Sequence, residues 1–345
     1  MVNRRHRPRS SILAAVLAAM AIELLFAAVA RAQSLDDGAA ERVLSAVVGV
    51  AARVPADART AQTLGTARTG SGVVIGSDGL VLTIGYLMLE AEHVAVITGD
   101  DELVPATIVA YDAESGFGLL RAERPLGVRP IRLGSSAALA TGQPVLSISY
   151  QLGYRMTSAV VTSRRQFAGY WEYLLDDAVY TAPPHRQFAG AALIAIDGTL
   201  VGIGSLYVAD AADGGRPQPG NLFVPIDALK PILADLLTDG RRGSPPTPWL
   251  GLYAGEASGR VFVTRTADGG PAARAGLRPG DMIIAVAGEH VAGLADFLAK
   301  VRSLGAAGTA VPIDVVSRET GQPLLRQVVV QSADRYQWLK LKTGG

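Results

Sequence analysis

Residues Thr69 to Leu87, TGSGVVIGSDGLVLTIGYL, hold two short apolar runs, Ser71–Ile75 and Leu80–Thr83, with Gly and Asp residues between them. Runs of four or five β-branched and aliphatic residues bounded by turn formers read as strands. The same texture extends from Val43 to about Leu237. Val94–Ile97, Ala106–Tyr111, Gly118–Arg121, Pro144–Ser149 and Leu200–Leu206 repeat it. Many short strands with little helix predict a mainly β barrel or sandwich.

A change of character follows. Residues 239–248, DGRRGSPPTP, are charged, small and proline-rich, and read as a semi-stiff linker. Beyond it, Pro271 and its alanines suit a short helix start, Gly276 and Gly280 suit tight turns, and Met282–Val286 supplies a strand. Leu294, Phe297, Leu298 and Val301 recur at helical spacing as one apolar face. Val311–Val316 and Leu324–Val330 flank a turn at Glu319-Thr320-Gly321, giving a hairpin.

Several motifs together carry a family resemblance. The Thr69–Leu87 stretch resembles the G-S-G-hydrophobic run ending in T-x-x-H-V of the HtrA/Deg trypsin-like serine proteases. Asp112 to Arg121, DAESGFGLLR, resembles their D-x-x-x-D-L-A-hydrophobic-L-K. FAGAALIAIDGTLVGI, from Phe188, resembles N-S-G-G-P-L-x-x-x-x-G-x-hydrophobic-G-hydrophobic. Arg129–Val145 and Asn221–Leu237 match further framework segments, and GPAARAGLRPGDMIIAV, Gly270–Val286, resembles the signature of bacterial PDZ domains. The resemblance implies a mainly β protein, a chymotrypsin-like double β-barrel followed by a PDZ domain. Together with the linker and the N-terminal layout, it divides the chain into a signal peptide (1–32), an N-terminal extension (33–42), a trypsin-like domain (43–238), the linker (239–248), the PDZ domain (249–333) and a C-terminal tail (334–345).

The same resemblance sets Tyr86 where the family has its general-base histidine, Gly116 at the orienting aspartate and Ala189 at the nucleophilic serine. Serine hydrolysis needs a hydroxyl to attack, an imidazole to take its proton and a carboxylate to orient the imidazole. Alanine and glycine supply neither, and a phenol with a pKa near ~10 is a poor base at neutral pH. Losing the nucleophile alone costs on the order of 10⁶ in turnover in serine proteases. Where the family has a glycine-rich oxyanion turn, this chain has His185-Arg186-Gln187-Phe188. Asp177, which resembles the family's T-D-A aspartate, lies about four positions too far from Ala189, implying a longer loop. The expectation is a degenerate, inactive homologue, a pseudoprotease without catalytic residues. A second reading is a divergent endopeptidase with a rearranged pair, since His185 lies close to Ala189 and Ser115 borders Gly116. Against it stands a solvated loop histidine and a turn serine. His93, His185 and His290, the histidines beyond residue 32, lack metal-ligand spacing, so neither a metal nor a cofactor is expected.

PDZ domains add an extended peptide as a strand and catch its terminal carboxylate on backbone N–H groups. Trp249, Leu250, Gly251 and Leu252 resemble the carboxylate-binding loop, and Leu298 and Val301 are the candidate peptide-facing residues of the groove helix. Alternatively the tetrapeptide only begins the first strand. Phe167, Tyr170, Trp171 and Tyr173, in RQFAGYWEYLLDD, are dense aromatics in a chain with 6% of them. They read either as a strand edge whose rings pack on the barrel or as a hydrophobic docking surface.

At the N-terminus, Arg4, Arg5, Arg7 and Arg9 precede an apolar stretch from Ile12, and Ala30-Arg31-Ala32 fits a small-x-small cleavage site. Export to the periplasm or secretion is expected, with cleavage before Gln33. Glu23 opposes a spanning anchor, because a charge at bilayer depth costs about 2.5–3.5 kcal/mol; an uncleaved inner-membrane anchor is the alternative. Residues 1–32 hold five arginines and one glutamate, so their removal takes the formal charge from +1 to −3. That balance excludes a nucleic-acid partner by charge. With no cysteine, disulfides play no part. The expected partners are protein or peptide C-termini, with an active HtrA-like protease as a second candidate, in an adaptor, regulatory or quality-control role. A structural scaffold subunit is a further alternative. Members commonly trimerise through aromatic residues near the N-terminus, and residues 33–85 contain none.

Overall fold

The computed structural model describes residues 37–213, 217–319, 322–339 and 341. The expected signal peptide, the part of the expected N-terminal extension before residue 37 and the Thr320-Gly321 part of the expected hairpin turn lie outside the described residues. Among the described residues no helix is long and apolar enough to cross a membrane.

Twelve strands form two closed barrels. The first comprises β1 (Val47–Arg53), β2 (Ala67–Val74), β3 (Leu80–Ile84), β4 (His93–Ile97), β5 (Leu103–Tyr111) and β6 (Phe117–Ala122), in the order β1-β2-β3-β6-β5-β4. The second comprises β7 (Pro144–Tyr150), β8 (Tyr154–Gly169), β9 (Tyr173–Ala182), β10 (Ala192–Ala195), β11 (Leu200–Val208) and β12 (Gly220–Pro225), in the order β10-β11-β12-β9-β8-β7. This is the mainly β double barrel expected from the resemblance. Closure leaves no sheet edge to be satisfied by solvent.

One apolar cluster runs through both barrels, joining Val48, Leu82 and Leu119 of the first to Ile203 and Val224 of the second. Each such side chain contributes about 1.5–3 kcal/mol when fully buried, so the barrels share a core rather than merely touching. Polar bonds fix their register. The Ser71 amide donates to the Ala189 carbonyl at 2.8 Å, and the Tyr150 amide donates to the Ser71 hydroxyl at 3.0 Å. A helix, α1 (Asp37–Ser45), leads into β1, so residue 43 falls within it. A second, α2 (Leu233–Asp239), follows the second barrel.

The third module is a sheet of β13 (Leu252–Ala257), β14 (Arg260–Thr266), β15 (Met282–Val286), β16 (Glu289–His290), β17 (Ala310–Glu319) and β18 (Gln322–Gln331). Its order is β13-β14-β15-β17-β18, with β16 beside β15, so β13 is an edge strand. Helix α3 (Pro271–Arg274) carries Pro at its start, where the missing N–H costs nothing. Helix α4 (Leu294–Ser303) buries Leu294, Phe297, Leu298 and Val301, the stripe read from the sequence.

The ends of this module are tied to the first barrel. In the linker, Arg242 donates to both carboxylate oxygens of Asp112, at 3.1 and 2.7 Å. Past residue 333 the chain forms α5 (Arg335–Trp338), capped by the Asp334 carboxylate accepting from the Tyr336 amide. The Tyr336 hydroxyl donates to the Tyr111 carbonyl and accepts from the Ala113 amide. Trp338 packs on Trp249 at 5.2 Å between ring centroids, and the Arg59 guanidinium lies 3.7 Å over its ring.

Candidate functional site

Tyr86, Gly116 and Ala189 meet where the two barrels join. Tyr86 lies in the 3₁₀ turn Gly85–Leu87 that ends β3. Its hydroxyl crosses to β11 and donates to the Ser205 carbonyl at 2.8 Å. Burial pushes this phenol well above its ordinary pKa, so it stays protonated and serves as a donor rather than a base. Its turn is pinned from below by Arg68, whose guanidinium donates to the Tyr86 and Leu89 carbonyls, each at 2.9 Å.

Gly116 sits in the β5–β6 turn. Its carbonyl accepts the Gly85 amide at 2.7 Å, which sets it beside the Tyr86 turn. Its φ of +82° lies in the left-handed region, where a side chain is strained. Ala189 precedes β10, and the amides after it are already used. Gly190 N–H bonds the Gly204 carbonyl at 2.9 Å and Ala191 N–H bonds the Phe188 carbonyl at 3.0 Å. The position therefore offers a methyl group and no hydroxyl. Chemically, Tyr86 and Ala189 carry hydrogen bonds between the barrels, and Gly116 holds the Tyr86 turn within the first.

His185 and Ser115 are not brought together. Ser115 is buried in its own turn, donating its hydroxyl to Asp112 at 2.5 Å. His185 is buried at 3% exposure, not solvated as one sequence reading had it. Its neighbour is Ser149 on β7, with Nε2 2.8 Å from the hydroxyl, while Nδ1 lies 2.8 Å from the Thr157 hydroxyl. The Ser149 hydroxyl also lies 3.0 Å from the side-chain amide oxygen of Gln187, so it is shared between that amide and the imidazole. Burial also lowers the imidazole pKa, favouring the neutral ring, and Ser149 has no exposed surface. Asp177, read as part of a longer loop, lies on β9 and pairs with Arg164 across the β8–β9 ladder.

In the third module Trp249, Leu250, Gly251 and Leu252 converge with Leu298 and Val301. Leu250, Leu252, Leu298 and Val301 share one core cluster, and Trp249, Leu298 and Val301 line a cavity of about 660 Å³ between the module and the barrels. Gly251 has φ +72° and is buried, with Trp249 and Pro271 about where a Cβ would go, so glycine suits this bend. Its loop amides are not empty. Glu172, from the turn between β8 and β9, accepts from Leu250 N–H at 2.7 Å and from Leu252 N–H at 2.9 Å, one bond to each carboxylate oxygen. Burial raises the Glu172 pKa to about 7, against the opposing pull of the loop amides and Arg335.

The aromatic cluster surrounds this contact. Trp171 stacks on Tyr173 at 5.6 Å, Phe167 touches both, and Tyr170 lies 6.1 Å from Tyr253 of β13. Tyr173 is buried and donates to the Ser115 carbonyl at 2.6 Å. The rings thus anchor the β8–β9 turn on the barrel while its tip reaches β13. Sequence reasoning missed Glu172 and Arg302, whose guanidinium donates to the Leu174 carbonyl at 3.0 Å. The density of rings in RQFAGYWEYLLDD was the signal that marked this turn.

Comparison with known proteins places these modules. Residues 70–203 match the trypsin-like peptidase domain and residues 262–316 match the PDZ domain. The serine protease PepD of Mycobacterium tuberculosis is 27% identical over 305 residues, covering 79% of this chain and 62% of PepD. The serine endoprotease DegS of Salmonella typhimurium is 26% identical over 283 residues, covering 76% of each. The periplasmic serine endoprotease DegP of Escherichia coli is 26% identical over 256 residues, 68% of this chain and 52% of DegP. The chain thus spans little more than half the length of PepD and DegP. Among solved structures, the serine endoprotease from Yersinia pestis superposes with a TM-score of 0.52 at 23% identity over 86% of this chain and 98% of its own. The HtrA-type protease AlgW with tripeptide gives 0.51 at 19% over 86% and 95%. The chain carries a trypsin-like peptidase domain followed by a PDZ domain, and is homologous to the HtrA, DegS and DegP proteases.

Proposed function

We propose that this chain is an exported pseudoprotease that acts by binding, receiving C-terminal or extended peptides of envelope proteins on its PDZ domain as an adaptor, regulator or quality-control factor. The observation that carries the loss of hydrolysis is Tyr86. Its hydroxyl is committed to the Ser205 carbonyl, where a base would have to face a nucleophile, and Ala189 has no hydroxyl to be activated. The peptide-binding role is supported by the Leu250–Leu252 loop, whose amides hold a carboxylate in this structure. AlgW, a protein of the same fold, has been solved with a tripeptide. Periplasmic or secreted location is supported by the basic and apolar N-terminal layout and by the periplasmic relatives.

The test is hydrolysis of casein and denatured protein by residues 33–345, beside an Ala189→Ser variant. No cleavage by either is expected. The competing reading, an endopeptidase with rearranged residues, draws on the His185–Ser149 contact. Cleavage that co-purifies with the chain and disappears in His185→Ala, together with labelling by a fluorophosphonate, would establish it instead.

A further inference from the structure

We infer that the β8–β9 turn is an internal ligand of the PDZ groove: Glu172 occupies the terminal-carboxylate site, and an external peptide binds by displacing it. The inference rests on the reading of Leu250–Leu252 as that site.

The contact follows the pattern of strand addition. A peptide ending in the groove gives its carboxylate to the loop amides and its upstream carbonyls to alternate N–H groups of the edge strand. Here Leu250 and Leu252 N–H hold the two oxygens of Glu172. Two residues further along β13, Ala254 N–H donates to the carbonyl of Tyr170 at 2.9 Å. Tyr170 precedes Glu172 by two, the same step on the other chain. Since β13 is paired only with β14, its outer edge is free to take this segment. The Glu172 side chain stands where a chain terminus would place its α-carboxylate.

Flanking contacts complete the imitation. Leu174, the second residue of β9, belongs to the PDZ core cluster with Leu298 and Val301, and Ala168 packs against the same cluster. Arg302 of α4 holds the Leu174 carbonyl. The groove between β13 and α4 is therefore filled from one side by a segment of the protease-like barrel.

Two features make this occupant displaceable. Glu172 has φ +59°, a left-handed conformation that a non-glycine residue adopts only when its surroundings hold it there. The carboxylate is also buried against its preference, as its raised pKa records. A free peptide terminus brings the same charge without the left-handed backbone. The partner chemistry is thus a peptide with a free C-terminal carboxylate and an extended backbone for at least three residues.

The test uses the full chain and its Glu172→Ala and Glu172→Gln variants, the second preserving shape. The probe is a pool of fluorescein-labelled octapeptides randomised at the last three positions, made with free carboxylate and as the C-terminal amide. A groove vacant less than a tenth of the time lowers apparent affinity by about tenfold or more. Both variants are therefore expected to bind the carboxylate pool about tenfold tighter than the parent, Glu172→Gln because its side-chain NH2 cannot accept from a loop amide as either oxygen of a carboxyl group can, with the amide pool bound weakly by all three. Hydrogen exchange over residues 249–255 is expected to accelerate in the variants without peptide. Equal tight binding of the carboxylate pool by parent and variants, or unchanged exchange, would overturn the internal-ligand inference and leave the PDZ reading standing. Binding of neither pool by any of the three, with each protein folded by circular dichroism, would overturn the carboxylate-binding reading and the inference with it.

Discussion

The Tyr86 hydroxyl donates to the Ser205 carbonyl at 2.8 Å, a side-chain bond from the end of the first barrel to a strand of the second. The Ser205 acceptor is buried. Tyr86→Phe strands it, at a cost of about 1–3 kcal/mol. Thermal unfolding of the variant should show a clearly lower midpoint. An unchanged midpoint would mean that the bond is dispensable to the barrel junction.

Gly116 resists a side chain of any kind. Gly116→Ala forces a Cβ onto a backbone at φ +82° and to 3.3 Å from the Tyr173 hydroxyl, a loss of about 1–2 kcal/mol. Gly116→Asp adds a charge in the turn already held by Asp112, and should be the less stable of the two. The order is read from paired denaturant curves. A stabilised Asp variant would contradict the strain described.

Arg242→Ala leaves the buried carboxylate of Asp112 with only its own turn for partners. The Asp112 side chain is 2% exposed and that of Arg242 26%. Breaking a buried pair costs about 3–5 kcal/mol, and the partial exposure of the arginine lowers this to roughly 1–3 kcal/mol. Limited proteolysis should cut the Arg241–Pro248 region faster in the variant. Equal cleavage would mean the linker is held without Arg242.

Docking of Glu172 should weaken as pH rises. Its pKa is about 7 when docked and 4.5 in its ordinary state, so the docked form holds the proton more tightly. The contribution is fully present below pH 4.5 and is lost as pH rises to about 7. The charges lining the cavity with it are Arg302 of α4, Arg335 of α5, Arg241 and Arg242 of the linker, and the carboxylates of Asp112, Glu114, Asp239 and Asp334, with no histidine among the described lining residues. Exchange at the Leu250 and Leu252 amides, corrected for intrinsic rate, should be slower at pH 5.5 than at pH 8, and Glu172→Gln should abolish the difference. Faster exchange at the lower pH would reverse the sign of the coupling.

Much of the architecture was legible because short strands such as Leu80–Thr83 are apolar along their length and bounded by turn formers. The hairpin of β8 and β9 was not. Arg164, Gln166, Asp176 and Asp177 interrupt any apolar run, yet Arg164 pairs with Asp177 and Gln166 with Asp176 across the ladder. Pairing between strands leaves no mark on local composition. The same holds for the His185–Ser149 contact, whose partners are separated by 36 residues. The groove loop and its helix were visible because glycine and a helical stripe carry local geometry. Glu172 was hidden because one glutamate among aromatics has no pattern until the fold brings β13 to it.

The linker and α5 both fasten to the Tyr111–Asp112–Ala113 turn, so the PDZ module is tethered at its entrance and its exit. Tethering makes the meeting of Glu172 and its loop an intramolecular event, with an effective concentration in the millimolar range. A peptide present at micromolar levels must then exceed the turn's intrinsic affinity by roughly a thousandfold, or about 4 kcal/mol. The double tether acts as an affinity threshold: scarce or poorly matched termini pass unnoticed, and only abundant or well-matched ones gain the groove.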